Sequence, residues 1–146
     1  MHKPTATDAF NMLAGAKLGS GCYRDVFECK IRPDLVVKVE IPRDSGYRTF
    51  ANVAEMKFWD DHEFTPEVKK WLARCEFLSP DGLILLQERV TPATEIDLAR
   101  MPNKLPAFLT DRKPDNYGWT KDGRFVCCDY AMTIKNPSLR MTRADW

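Results

Sequence analysis

The stretch Asp111-Arg112-Lys113-Pro114-Asp115-Asn116, followed by Asp129-Tyr130-Ala131, is the most informative in this chain. An asparagine comes five positions after the first aspartate, and Asp129 comes thirteen after that asparagine. Between them, Tyr117-Gly118-Trp119 and Arg124-Phe125-Val126-Cys127-Cys128 flank Thr120-Lys121-Asp122-Gly123, which reads as a short hairpin with an Asp-Gly turn. One carboxylate could receive a hydroxyl proton, while an amide and a second carboxylate could hold a metal ion. That is the donor set of magnesium-dependent phosphoryl transfer. The plainer account of residues 111–116 is a polar turn rich in Asp, Lys, Pro and Asn.

Composition sets the outer bounds. The chain has 146 residues, 44% hydrophobic and 29% charged, as expected of one globular unit with its own core. A formal net charge of +1 offers no long-range attraction to nucleic acid or to a membrane surface, so neither is expected as a partner. The longest apolar runs fall well short of the ~20 residues of a membrane span, and MHKPTATDAFNML lacks the apolar core of a signal peptide. Cys22, Cys29, Cys75, Cys127 and Cys128 are odd in number with no CxxC spacing, which points to free thiols in a reducing cytoplasm. Cys127 and Cys128 read as small core residues beside Asp129.

Upstream, residues 25–31 and 35–41 are β-branched and apolar around Arg32-Pro33-Asp34, a hairpin signature. Residues 13–18 read as an earlier strand that leads into Gly19-Ser20-Gly21. From Asp44 or Ser45 to about Asp61 the pattern turns helical, with Phe50, Val53, Ala54, Lys57 and Phe58 recurring at three and four. Thr65-Pro66-Glu67 resembles a helix start, but strands at about 72–78 and 83–88 around the turn Ser79-Pro80-Asp81-Gly82 are preferred. Pro92, Pro102 and Pro106 leave room for one short helix at 94–101. Strands, one long helix, more strands and a small mixed end make an α+β fold. Lys38, in Val36-Val37-Lys38-Val39, is either an outward-facing strand lysine or a half-buried one. A half-buried lysine needs a charge partner, and Glu55 on the helix is the natural choice.

Taken together, these residues resemble the protein kinase superfamily, closest to its Ser/Thr members, where DxKPxN precedes DFG at the same relative spacing. The resemblance covers roughly residues 15–131. It implies one kinase-like domain over 1–146: an N-lobe with its hinge over about 13–90, built from a five-stranded antiparallel sheet and one long helix, and a severely reduced C-lobe over about 91–146. It implies ATP and Mg²⁺ as cofactors. Gly19, Gly21 and Val26 would cover the phosphates, and Lys38 paired with Glu55 would orient them. Glu88 would mark the hinge, with Gln87 lining the back of the nucleotide pocket. Asp111 would act as base, Lys113 would neutralise the transferred phosphate, and Asn116 and Asp129 would bind the metal.

The chain departs from the pattern in places. Arg24 stands where the third glycine of the loop is expected, and could either contact phosphate or crowd the site. Leu109-Thr110 precede Asp111 in place of His-Arg, and Ala131 replaces the glycine after Asp129-Tyr130. Only twenty residues separate Val90 from Asp111, and fifteen follow Ala131, so no activation segment or substrate-binding helices are expected. Two functions are implied: a minimal kinase that phosphorylates a Ser/Thr hydroxyl of a protein, or a pseudokinase-type module that works by binding a partner protein. An unrelated α+β binding protein is a third reading. The reduced lobe should also expose Leu98, Met101, Leu105, Phe108, Trp119 and Trp146, for a homodimer or a partner to cover.

Overall fold

The β-branched runs of the N-terminal half fold as antiparallel strands, because alternate residues there can bury one face while the backbone pairs with its neighbours. The computed structural model describes residues 3, 5–41, 48–133 and 138–146. The chain divides into two compact units, Met1–Met56 with Cys75–Arg89, and Lys57–Arg74 with Val90–Trp146.

The first unit opens with a helix, α1 (Ala6–Leu13), closed at its start by a capping box in which Thr5 and Asp8 exchange side-chain-to-backbone hydrogen bonds. Strands β1 (Ala14–Ser20), β2 (Arg24–Cys29) and β3 (Leu35–Glu40) follow, then helix α2 (Ala51–Asp61), which passes into the second unit after Met56. Later in the chain come β4 (Cys75–Leu78) and β5 (Ile84–Glu88). The expected five-stranded antiparallel sheet forms, in the order β1-β2-β3-β5-β4. Cys29, Leu35, Val37, Ile84 and Leu86 form its core, with Leu13, Phe27 and Val39 packed against them.

Helix α2 buries a different face from the one its apolar periodicity suggested. Ala51, Asn52, Glu55 and Phe58 are buried, whereas Phe50 and Val53 are exposed. Phe50 sits just before the helix with φ 56; Asn52 and Glu55 are buried with polar bonds to the sheet, and Phe58 with ring contacts to His62, Phe108 and Tyr130. The proposed helix start at Asp44 or Ser45 lies outside the described residues.

The segment from Thr65 divides into two parts. A short helix, α3 (Pro66–Lys69), forms where Thr65-Pro66 pointed to one. Residues 71–73 of the second unit then pair with Cys127: Ala73 N donates to the Cys127 carbonyl and Cys127 N to the Trp71 carbonyl. The strand expected from residue 72 therefore starts only at Cys75.

The second unit contains β6 (Thr91–Pro92), a 3₁₀ turn over Glu95–Arg100, β7 (Lys104–Pro106), a 3₁₀ turn over Pro114–Asn116, β8 (Tyr117–Trp119), β9 (Phe125–Cys127) and β10 (Met141–Arg143). β6, β8 and β9 form one antiparallel sheet, and β7 pairs with β10. The hairpin turn carries Gly123 at φ 86, as its Asp-Gly sequence requires. Met101, Leu105 and Phe108 are buried in this unit's own core, so three of the residues expected to lie bare are covered within the chain. Leu98 remains exposed, and Trp119 and Trp146 are half-buried. All five cysteines are free thiols. No helix among the described residues is long and apolar enough to cross a membrane.

Candidate functional site

In the first unit the functional candidates converge on Glu55, whose side chain is fully buried. Lys38, on the central strand β3, places its Nζ 2.7 Å from Glu55 Oε1. The same oxygen accepts from Gln87 Nε2 at 2.8 Å, and Arg24 NH2 reaches Glu55 Oε2 at 2.8 Å. Burial by itself pushes the Glu55 carboxyl up. The charges of Arg24 and Lys38, and their hydrogen bonds, overcome that and hold it at about 2, so the side chain is a carboxylate. Of the two readings of Lys38, the structure has the buried, paired one: Lys38 is 4% exposed.

Arg24 also meets Glu55. Its side chain turns inward, 7% exposed, and bonds Glu55 and, at 3.3 Å, Asn52 Oδ1. The residue in the third glycine's place is thus a second cationic tether to α2. Asn52 completes the attachment, with Nδ2 donating to the carbonyls of Lys38 (3.1 Å) and Leu83 (2.9 Å). Glu40 accepts from the Asn52 backbone N–H at 3.0 Å and from Arg48 Nε at 2.6 Å. Sequence reasoning missed Asn52 and Glu40, and nothing in their local pattern distinguishes them from surface residues.

Gly19, next to the last residue of β1, pairs with Val26, which in turn pairs with Lys38 across β2 and β3. A Cβ added at Gly19 would meet nothing within 4 Å, so packing does not exclude an alanine there. Gly21 donates its N–H to the Arg24 carbonyl at 2.8 Å, closing the turn. Glu88 ends β5 with a buried side chain, opposite Leu35.

In the second unit, Asp111 and Lys113 are exposed, as is Asp129. Asn116 Nδ2 donates to the Asp111 carbonyl at 3.2 Å, and Cys128 N donates to the Asn116 carbonyl at 2.8 Å, so Asn116 ties the 111–116 loop to the residue before Asp129. That bond also fixes the amide, leaving Oδ1 as its oxygen donor. Tyr130 is buried; its hydroxyl donates to the Ala73 carbonyl at 2.7 Å, and its ring lies 5.9 Å from that of Phe58, fixing the backbone beside Asp129.

Arg112, which sequence reasoning passed over, holds the loop from behind. Its guanidinium donates to the carbonyls of Leu109 (2.8 Å), Pro106 (3.3 Å), Leu105 (3.4 Å) and Arg143, and to the Thr142 hydroxyl. In a chain without His-Arg before Asp111, an arginine just after it clasps the β7–β10 pair.

No family model matches the chain, and no curated protein does. Among solved structures, it is similar to a chain of the CAK complex from Chaetomium thermophilum bound to ATP-gamma-S, with a TM-score of 0.55 and 16% identity. The match covers 90% of this chain and 52% of that one, so this chain spans about half the length of its structural neighbour. The fold is kinase-like. The five-stranded antiparallel sheet fits a kinase-like N-lobe, with a reduced C-lobe.

Proposed function

We propose that this kinase-like chain binds ATP with Mg²⁺ and transfers the γ-phosphoryl group to a Ser/Thr hydroxyl of a protein. The observation that carries the reading is the buried pair between Lys38 on the central strand and Glu55 on α2. A buried ion pair is a poor stabilising device, because desolvating two charges offsets most of their attraction. A lysine held there by a carboxylate is better explained as a cation for phosphate. Gly19 adds support: a glycine that packing does not require leaves backbone that a phosphate can approach closely.

In this reading Lys38 binds the α- and β-phosphates, oriented by Glu55, and Asp111 takes the proton of the acceptor hydroxyl. The acceptor oxygen forms a bond to the γ-phosphorus as the bond to the bridging oxygen breaks, giving ADP and a phosphoester. Lys113 neutralises charge on the transferred group. Asn116 and Asp129 supply an amide oxygen and a carboxylate, and Mg²⁺ favours one or two such ligands completed by substrate phosphates. Among the described residues there is no group of three or more acidic, His or Cys ligands, so the donors suit a nucleotide-borne ion better than a protein cage. When bound, the metal supplies charge neutralisation.

Incubation with labelled ATP, Mg²⁺ and candidate proteins tests the reading. Transfer should occur with the native chain and fall about 10²–10⁴-fold in Asp111→Asn, with nucleotide affinity retained. Undiminished transfer in that variant would remove Asp111 from the mechanism. Nucleotide binding with no transfer to any acceptor would favour the partner-binding module. No nucleotide binding at all would revive the unrelated α+β reading.

A further inference from the structure

Within the first unit, buried polar groups fasten α2 to the sheet. Glu55 Oε1 accepts from Lys38 Nζ at 2.7 Å and from Gln87 Nε2 at 2.8 Å, while Oε2 accepts from Arg24 NH2 at 2.8 Å. Asn52, one turn earlier, bonds Arg24 and the Lys38 and Leu83 carbonyls, and its backbone N–H donates to the Glu40 carboxylate. Of these bonds, the first alone uses the Lys38 ammonium; the others stay in place if that ammonium turns to a phosphate. A lysine that was the sole cation on Glu55 would strand a buried carboxylate on leaving it, which is strongly unfavourable. With Arg24 on the other oxygen, Glu55 keeps a cation and its charge is still met.

We propose that Arg24 is a positioning residue of the nucleotide site: it keeps Glu55 and α2 docked on the sheet before any nucleotide arrives, so that Lys38 is free for phosphate and α2 is not switched by the ligand. This deepens the nucleotide reading above and rests on it. Arg24 opens β2, pairs in register with Glu40 on β3, and reaches both Asn52 and Glu55 with one planar guanidinium. A lysine in its place would offer a point charge without that fork. A ligand moves an equilibrium only by its differential affinity for the two states. Where α2 is already docked, the population is binding-competent from the start, and no affinity is lost to an undocked fraction.

The test measures amide exchange and ATP affinity in the native chain, in Arg24→Met, which keeps an unbranched apolar side chain, and in Arg24→Lys, which keeps the charge. In the native chain, ATP with Mg²⁺ should slow exchange at residues 52–56 no more than it slows β3 and β5. In Arg24→Met without nucleotide, residues 52–56 should exchange roughly tenfold faster relative to those strands, the worth of one hydrogen bond to a charged group. ATP should then slow them selectively, and its Kd should rise by up to the same factor. Arg24→Lys should recover part of both effects. Selective slowing of α2 by ATP in the native chain would overturn the proposal. So would α2 exchange in Arg24→Met that is unchanged or merely matched by β3 and β5, or an unchanged Kd once α2 has loosened. If Arg24→Met does not fold, the native comparison decides alone. If the native chain binds no ATP, the nucleotide reading fails, and the nucleotide-free exchange still shows whether Arg24 holds α2.

Discussion

Glu55 concentrates the energetics of the first unit in one carboxylate with three donors. Removing it strands two buried cations, so Glu55→Ala should destabilise the protein by about 3–5 kcal/mol, read from urea midpoints. Its titration has a definite sign. The folded carboxyl sits at about 2, against an ordinary 4.5. Its contribution is therefore complete above pH 4.5 and is lost as pH falls toward 2. Glu55→Gln should flatten the stability–pH profile across that window, and an unchanged acid limb would show that other groups govern it. Lys38 and Glu55 were legible in the sequence because a lysine within a β-branched strand demands a partner. Arg24 was legible only as a departure, since its inward turn depends on where α2 lies against the sheet.

At the scale of elements, the loop that carries Asp111 and Asn116 is held by Arg112, whose donors all meet backbone carbonyls and a hydroxyl. Arg112→Ala should loosen that loop and β10 together, seen as faster amide exchange at residues 109–116 and 141–143, while β1 to β5 keep their protection. Exchange unchanged at β10 would show that the clasp is not what couples them. Gly118 has a different constraint: a Cβ there would run into the Thr91 carbonyl and Val90 across the β6–β8 pair. Gly118→Ala should therefore cost about 1–3 kcal/mol by overpacking, measurable as a lowered thermal midpoint. The hairpin of β8 and β9 was legible from its Asp-Gly turn, and α1 could have been found from Thr5-x-x-Asp8. The β7–β10 pair could not, because three-residue strands carry too little periodicity to announce themselves.

For the whole molecule, the proposed function gives Lys38 and Asp129 each a part in ATP binding. Lys38→Met and Asp129→Ala should therefore each weaken ATP binding with Mg²⁺, read as a raised Kd. Unchanged affinity in either variant would remove that residue from the reading. ATP with Mg²⁺ at a hundredfold excess over Kd should stabilise the folded chain by about 2.7 kcal/mol, visible as a rise in thermal midpoint. The sequence alone determined the α+β class, the order of the sheet strands' segments and the candidate residues from Lys38 to Asp129, because periodicity, turn chemistry and motif spacing are local properties of the chain. Only the tertiary structure decided which face α2 buries, that Arg24 joins Lys38 on Glu55, that Arg112 clasps β10, and that residues 71–73 pair with β9. Each of these depends on which distant backbone or charge a side chain meets, and a linear pattern does not encode that meeting.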